Sequence, residues 1–185
     1  EGGRYAPAYR SLIAAVGGTD DHELWWRASR LAFHMGLAAE DEGVAIKHYL
    51  AARSAAWACL EEVPSFSQRR RDEGWEVAVS AVESERVHCL IWGAFAWTRW
   101  LQLEGAAGAA MDTPTIRAFY SQAEDLGGDP SVIQWGRAVL EASVVSEPGE
   151  DVRMALQRAV EDAPGELARV ADWVFLGLVP ARRME

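Results

Sequence analysis

Apolar residues along this chain recur with the helical period, and one stretch is apolar on nearly every side. Between Glu83 and Glu104 it reads ESERVHCLIWGAFAWTRWLQLE. Trp92, Ala96, Trp100 and Leu103 follow i, i+4, i+8 and i+11, so they share one helix face. Leu90, Ala94, Trp97 and Leu101 fill the next face, and Phe95 widens the apolar surface. Thr98, Arg99 and Gln102 interrupt it near the end. A helix that is apolar nearly all round is buried between others. The pattern therefore predicts a central helix here, capped by Ser84 and terminated by Gly105 to Gly108.

The same period predicts further helices on both sides. Residues 4 to 16 form a short first helix, closed by Gly17-Gly18. A second runs from about Asp21 to Ala38, with Leu24, Ala28, Leu31, Met35 and Ala38 in register. A third, about Val44 to Glu62, is rich in alanine, which favours helix and close packing. Val63-Pro64-Ser65 ends it, and a fourth helix is expected from about Ser67 to Val82. Beyond the central helix, Asp112-Thr113-Pro114 starts a sixth, with Pro early in the helix where its missing N–H costs nothing. Pro130 opens a seventh, carrying Val132, Trp135, Gly136, Val139 and Leu140. Glu147-Pro148-Gly149 breaks the chain before an eighth, about Glu150 to Asp162. A ninth is expected over about Glu166 to Leu178. No segment alternates as a strand would. The reading is one all-α domain over residues 1–185, with about nine helices.

Small residues and breakers recur at helix ends. Cys59 and Pro64, Ala123 and Gly128, and Ala159 and Pro164 are each five apart. Gly93 follows Trp92 and Gly136 follows Trp135, which lets two helices approach closely. These are degenerate marks of the tetratricopeptide (TPR) repeat, a helix–turn–helix unit. The expected architecture is a set of TPR-like antiparallel helical repeats forming an α–α superhelix with a concave face. The intervals exceed the standard repeat, and a generic antiparallel bundle produces some of the same spacing.

Composition narrows the function classes. Of 185 residues, half are hydrophobic and a quarter charged, a folded profile. The net charge of −10 argues against nucleic-acid binding, which needs a basic surface. The one basic run, Arg69-Arg70-Arg71, is followed at once by Asp72 and Glu73 and reads as a solvated helix segment. No apolar stretch reaches the length of a membrane span. Cys59 and Cys89 give neither a disulfide framework nor a metal spacing, and their apolar context predicts buried thiols. The chain opens on Glu1-Gly2-Gly3, which reads as the start of a mature or truncated protein and leaves room for an export signal upstream.

Candidate chemistry is sparse. Glu85 and His88 form one Glu-x-x-His, but the second copy that a di-iron bundle needs is absent. Asp20-Asp21-His22-Glu23 has the composition of a divalent-metal cluster, yet it stands where a helix start wants acids. The Gly-Gly pairs are helix stops, and no nucleophile elbow, phosphate loop or zinc spacing occurs. The expectation is a non-enzymatic protein without cofactor or metal. Nine tryptophans are the anomaly. Two accounts stand: a core rich in large side chains, or an aromatic cleft that holds a ligand or partner. On the second, Trp92, Trp97, Trp100, Trp135 and Trp173 are the candidate binding residues.

The run EGWEVAVSAVESERVHCLIWGAFAWTRWLQLEG resembles the T-component (TatT-like) family of TRAP transporters. Glu83, Glu85, Val87, Leu90, Trp92, Ala96 and Trp100 occupy the comparable positions. DTPTIRAFYSQAEDL is similar to the family's next helix through Ile116, Ala123 and Leu126, and Gly136, Pro148, Ala159 and Pro164 fit the following pair. The similarity spans roughly Tyr49 to Leu178. Departures are Val144-Val145, the missing glycine pair around Glu147 to Asp151, and the missing lipidation signal. The resemblance implies a periplasmic, lipid-anchored TPR-like protein, the anchor carried by a removed N-terminal segment. It further implies association with a TRAP substrate-binding protein, handling of a small organic ligand, and homo-oligomers. The alternative is a TPR-like protein-interaction adaptor unrelated to transport, in the cytoplasm if no export signal precedes the chain.

Overall fold

A computed structural model describes residues 5–16, 21–104 and 106–144, together with the isolated helical positions 150, 154, 157 and 158. Among these residues every regular element is helical: α1 (Tyr5–Val16), α2 (His22–Leu37), α3 (Glu42–Glu61), α4 (Pro64–Asp72), α5 (Trp75–Ala78), α6 (Val87–Glu104), α7 (Ala106–Asp125) and α8 (Pro130–Val144). Two 3₁₀ turns, Val79–Ala81 and Ser84–Arg86, link α5 to α6. Of the eighth expected helix only positions 150, 154, 157 and 158 are described, each helical; the ninth, with Trp173, lies outside the described residues.

Local chemistry explains most of the boundaries. Asp21 caps α2 by accepting the Glu23 N–H at 2.9 Å, and Asp41 caps α3 by accepting the Val44 N–H at 2.8 Å. Each carboxylate satisfies a donor that the first helical turn leaves open. Pro64 and Pro130 sit at the first positions of α4 and α8, where no N–H is needed. α7 ends in a Schellman motif: Gly127 is left-handed at φ 79°, the Gly128 N–H reaches the Ala123 carbonyl at 2.8 Å, and the Gly127 N–H reaches Glu124 at 2.9 Å. That is the physical content of the Ala123–Gly128 spacing.

Three boundaries differ from the sequence expectation. The fourth helix is two, because Gly74 at φ 93° turns the chain between α4 and α5. Ser84 makes no cap; it begins a 3₁₀ turn, and the central helix starts at Val87. α7 already runs from Ala106, with Pro114 inside it rather than near its start. Pro114 removes one helix hydrogen bond.

The central helix is α6, and it packs on α2, α3, α7 and α8. Every residue from Cys89 to Thr98 is buried. Its one member there with a hydroxyl, Thr98, donates its Oγ1–H to the Ala94 carbonyl at 2.8 Å, so that hydroxyl is satisfied within the helix. α2 and α3 pair with each other, as do α7 and α8. α2 and α8 lie along α6 through Phe33–Trp92 and Phe95–Trp135 ring contacts at 5.6 and 4.9 Å. Small residues set these approaches. A Cβ at Gly93 would come 3.0 Å from Ala56 of α3, and one at Gly136 would come 2.4 Å from Phe95 and 2.5 Å from the Tyr120 hydroxyl. The architecture is all-α, and this adjacency is compatible with stacked helical repeats.

The cysteines correct the reading of two buried thiols. Both are fully buried, but Cys59 of α3 and Cys89 of α6 are joined in a disulfide, with Cα atoms 6.3 Å apart. Burial in apolar helices is legible in the sequence. That the last turns of α3 meet the first turn of α6 is not, because the two cysteines are thirty positions apart, with α4 and α5 between them.

Candidate functional site

The tryptophans divide into core and rim. Trp92, Trp97 and Trp135 are 6%, 4% and 2% exposed, so an exposed aromatic row along the central helix does not form. Trp92 packs against Phe33 and Phe95, and Trp135 against Phe95. Both therefore stand in the core and not on an exposed surface. Between Cys89 and Thr98, α6 is covered by α2, α3, α7 and α8, so that stretch has no open face. Trp100, half-buried, is the one expected site residue among the described residues that keeps a partly open surface.

A second aromatic cluster forms where α3, α5, α6 and α7 meet. Trp57 of α3 lies 4.7 Å from Trp75 and 5.3 Å from Trp97, and Phe119 of α7 closes the group at 6.1 Å from Trp97. Trp75 reaches it because the turn at Gly74 brings α5 back against α7. Two basic side chains sit on its edges. Arg70 lies 4.9 Å from the Trp75 ring and pairs with Glu61 at 2.8 Å. Arg53 lies 4.5 Å from Trp57, 4.6 Å from Trp100 and 5.3 Å from Trp97.

Arg53 is the unusual group. Cation–π contact with indole stabilises a guanidinium by about 0.5–2 kcal/mol but uses the ring faces, leaving its in-plane donors to find acceptors elsewhere. Its Nε is buried with no acceptor among the described residues, as are Trp57 Nε1 and Trp100 Nε1. Buried donors left unmade cost about 1–3 kcal/mol each. Burial pulls the guanidinium down from its ordinary value, and the Asp112 carboxylate acts in the opposite sense. Asp112 is itself engaged by the Trp97 N–H at 2.9 Å. The site thus holds a cation and buried N–H donors beside one carboxylate, which accepts from Trp97 through one of its oxygens. Arg53 and Trp57 are not among the residues that the sequence points to. A lone arginine four residues before a tryptophan on an alanine-rich helix carries no signal that Trp97 and Trp100 converge on it.

The other motifs take structural roles. Asp21 is the α2 cap. His88 is exposed and stacks on Trp26 at 4.8 Å, while Glu85 is exposed in the turn before α6. Among the described residues no group of three His, Cys, Asp or Glu side chains is placed to hold a metal ion, and no helix is long and apolar enough to cross a membrane.

Comparison with known proteins finds no matching family model, no matching curated protein and no matching solved structure.

Proposed function

We propose that this chain is a non-enzymatic TPR-like scaffold that binds a protein or small ligand outside the cytoplasm, beside a TRAP-type solute uptake system. The observation that carries the scaffold reading is the row α2–α6–α8. These three helices lie side by side, and α3 and α7 pack behind and between them. Stacked helix pairs have this adjacency, in which first helices touch first helices and each second helix wedges between two of them. Gly36, Gly93 and Gly136 support it, one in each helix of the row: at Gly36 and Gly136 a Cβ would overlap a neighbouring ring, and at Gly93 it would make a tight 3.0 Å contact with Ala56.

The Cys59–Cys89 disulfide supports an oxidising compartment, where such bonds form and persist. The link to TRAP uptake rests on the resemblance around Trp92 and on that alone. It is tested by titrating the oxidised chain with the substrate-binding protein of a TRAP system from the same genome, followed calorimetrically. Saturable binding at micromolar concentration is expected. A folded chain that gives no binding there leaves a TPR-like adaptor for another assembly as the reading.

A further inference from the structure

Cys59 and Cys89 are both fully buried, so a reductant reaches their bond only when part of the chain opens. Arg86 covers one side of it. Its Nη1 donates to the Cys59 carbonyl at 2.7 Å and lies 3.7 Å from Cys59 Sγ. The same nitrogen is held by Glu62 at 2.9 Å, and Glu62 is anchored from α2 by the Trp25 Nε1–H at 2.6 Å. Arg86 and Glu62 both keep part of their surface open, so the pair spans from the sulfur to solvent. The segment that carries Arg86 is short and weakly held. Its 3₁₀ turn, Ser84–Arg86, has no side-chain cap, and Glu83, Ser84 and Glu85 are exposed. The helices do not rely on the bond alone. α3 and α6 pack along each other, with Gly93 against Ala56, and Trp57 lies 4.7 Å from Trp75 of α5.

We propose that the Cys59–Cys89 disulfide is a redox latch gated by the Arg86–Glu62 pair. Local release of Arg86 admits a dithiol reductant to the bond while the helices stay folded. Proteins open in such small units at a lower free energy than global unfolding. In the exchange a thiolate of the dithiol attacks one cysteine sulfur, the S–S bond breaks, and the other cysteine leaves as a thiolate. The second thiol of the reductant then displaces the first from the mixed disulfide. The reductant ends as a disulfide, and Cys59 and Cys89 take up its two electrons and two protons as thiols. Reduction unties the end of α3 from the start of α6 and frees the α4–α5 excursion between them. The latch needs only the disulfide and stands or falls apart from the uptake reading.

The test is reduction of the full oxidised chain by dithiothreitol over rising urea below the unfolding transition, with thiols counted by mass after alkylation. Reduction without denaturant is expected, at a rate that urea raises far less than it raises the equilibrium constant for unfolding. The reduced chain should keep its helical circular dichroism signal. Glu62→Gln removes the charge that holds Arg86 and should speed reduction about ten-fold. Gly136→Ala strains the α6–α8 crossing instead, and should lower stability without speeding reduction. Two free thiols before any reductant overturn the proposal, as does reduction that follows global unfolding. Glu62→Gln reduced at the parent rate also overturns it, and so does Gly136→Ala speeding reduction as much as Glu62→Gln. The urea series uses the unaltered chain, so the outcome does not depend on a variant folding.

Discussion

Cys59 and Cys89 lie thirty residues apart and tie the end of α3 to the beginning of α6. Between them runs the whole α4–α5 excursion, so the bond closes a loop that otherwise adds its full freedom to the unfolded chain. In the chain-entropy account a loop of this length is worth about 3–4 kcal/mol. Reduction in denaturant, or replacement of both cysteines by alanine, should lower the unfolding free energy by about that amount. The check is a denaturant melt with and without reductant. A thiol titration of the unfolded, unreduced protein should find no free thiol. Two free thiols there would remove the disulfide and its support for an oxidising compartment.

Glu62 gathers three elements at one carboxylate. It accepts the Trp25 Nε1–H from α2 at 2.6 Å and the Arg86 guanidinium at 2.9 Å, and Arg86 also donates to the Cys59 carbonyl at 2.7 Å. The Arg86 and Glu62 side chains are only 17% and 18% exposed. Glu62→Ala leaves a mostly buried cation and an indole N–H without their acceptor, and should destabilise the fold by about 2–4 kcal/mol. Glu62→Gln keeps an acceptor and should cost less. Chemical denaturation of the two variants decides this, and equal effects would count against the shared-carboxylate account.

Gly136 and Gly74 should both resist substitution, for different reasons. At Gly136 a Cβ would overlap Phe95 and the Tyr120 hydroxyl, so Gly136→Ala overpacks the α6–α8 crossing and should cost about 1–3 kcal/mol. At Gly74 nothing lies within 4 Å, but φ is 93°. The cost of Gly74→Ala is a backbone one of about 1 kcal/mol. Gly136→Ser should be worse than Gly136→Ala, whereas Gly74→Asn should recover part of the loss. Thermal melts of these four variants separate steric from backbone strain.

Tyr120 predicts an alkaline limit. Its phenol is fully buried, and burial pushes its pKa well above the ordinary 10.0. In the unfolded chain it loses its proton near that ordinary value, while in the folded chain it keeps it. Above pH 10 the unfolded state therefore binds fewer protons, and stability falls as pH rises, by about 1.4 kcal/mol per pH unit for this group. Below the unfolded pKa the group adds no pH dependence. Tyr49, also raised by burial, adds to the same limb. Denaturation between neutral pH and about 11 should show the decline, and Tyr120→Phe should flatten it. An unchanged slope in that variant would sink the assignment.

Much of the fold is legible residue by residue. The acids at the start of α2, the proline start at Pro130 and the Ala123–Gly128 spacing are local chemistry and legible in the sequence. The Asp41 cap and the start of α4 at Pro64 are equally local, but the helical period alone does not mark them, and Pro64 reads as the end of α3. The burial of α6 is legible too, because a helix with apolar residues on every side has nowhere else to go. The Gly74 turn is hidden because the apolar period runs on through Trp75, Val79 and Val82, and a single glycine does not say that its φ is positive. The candidate site is the least legible. Trp97 and Trp100 stand out for their size, but their partners Arg53, Trp57 and Asp112 come from other helices.

By itself, then, the sequence determined an all-α chain organised around the Trp92–Trp100 helix, because helical period, caps and breakers act over a few residues. Which cysteines meet, which tryptophans are core and which face Arg53 were decided only by the tertiary structure. Those relationships depend on how α3, α6 and α7 cross, and a crossing is fixed by the packing of whole helix faces, to which every residue of each face contributes.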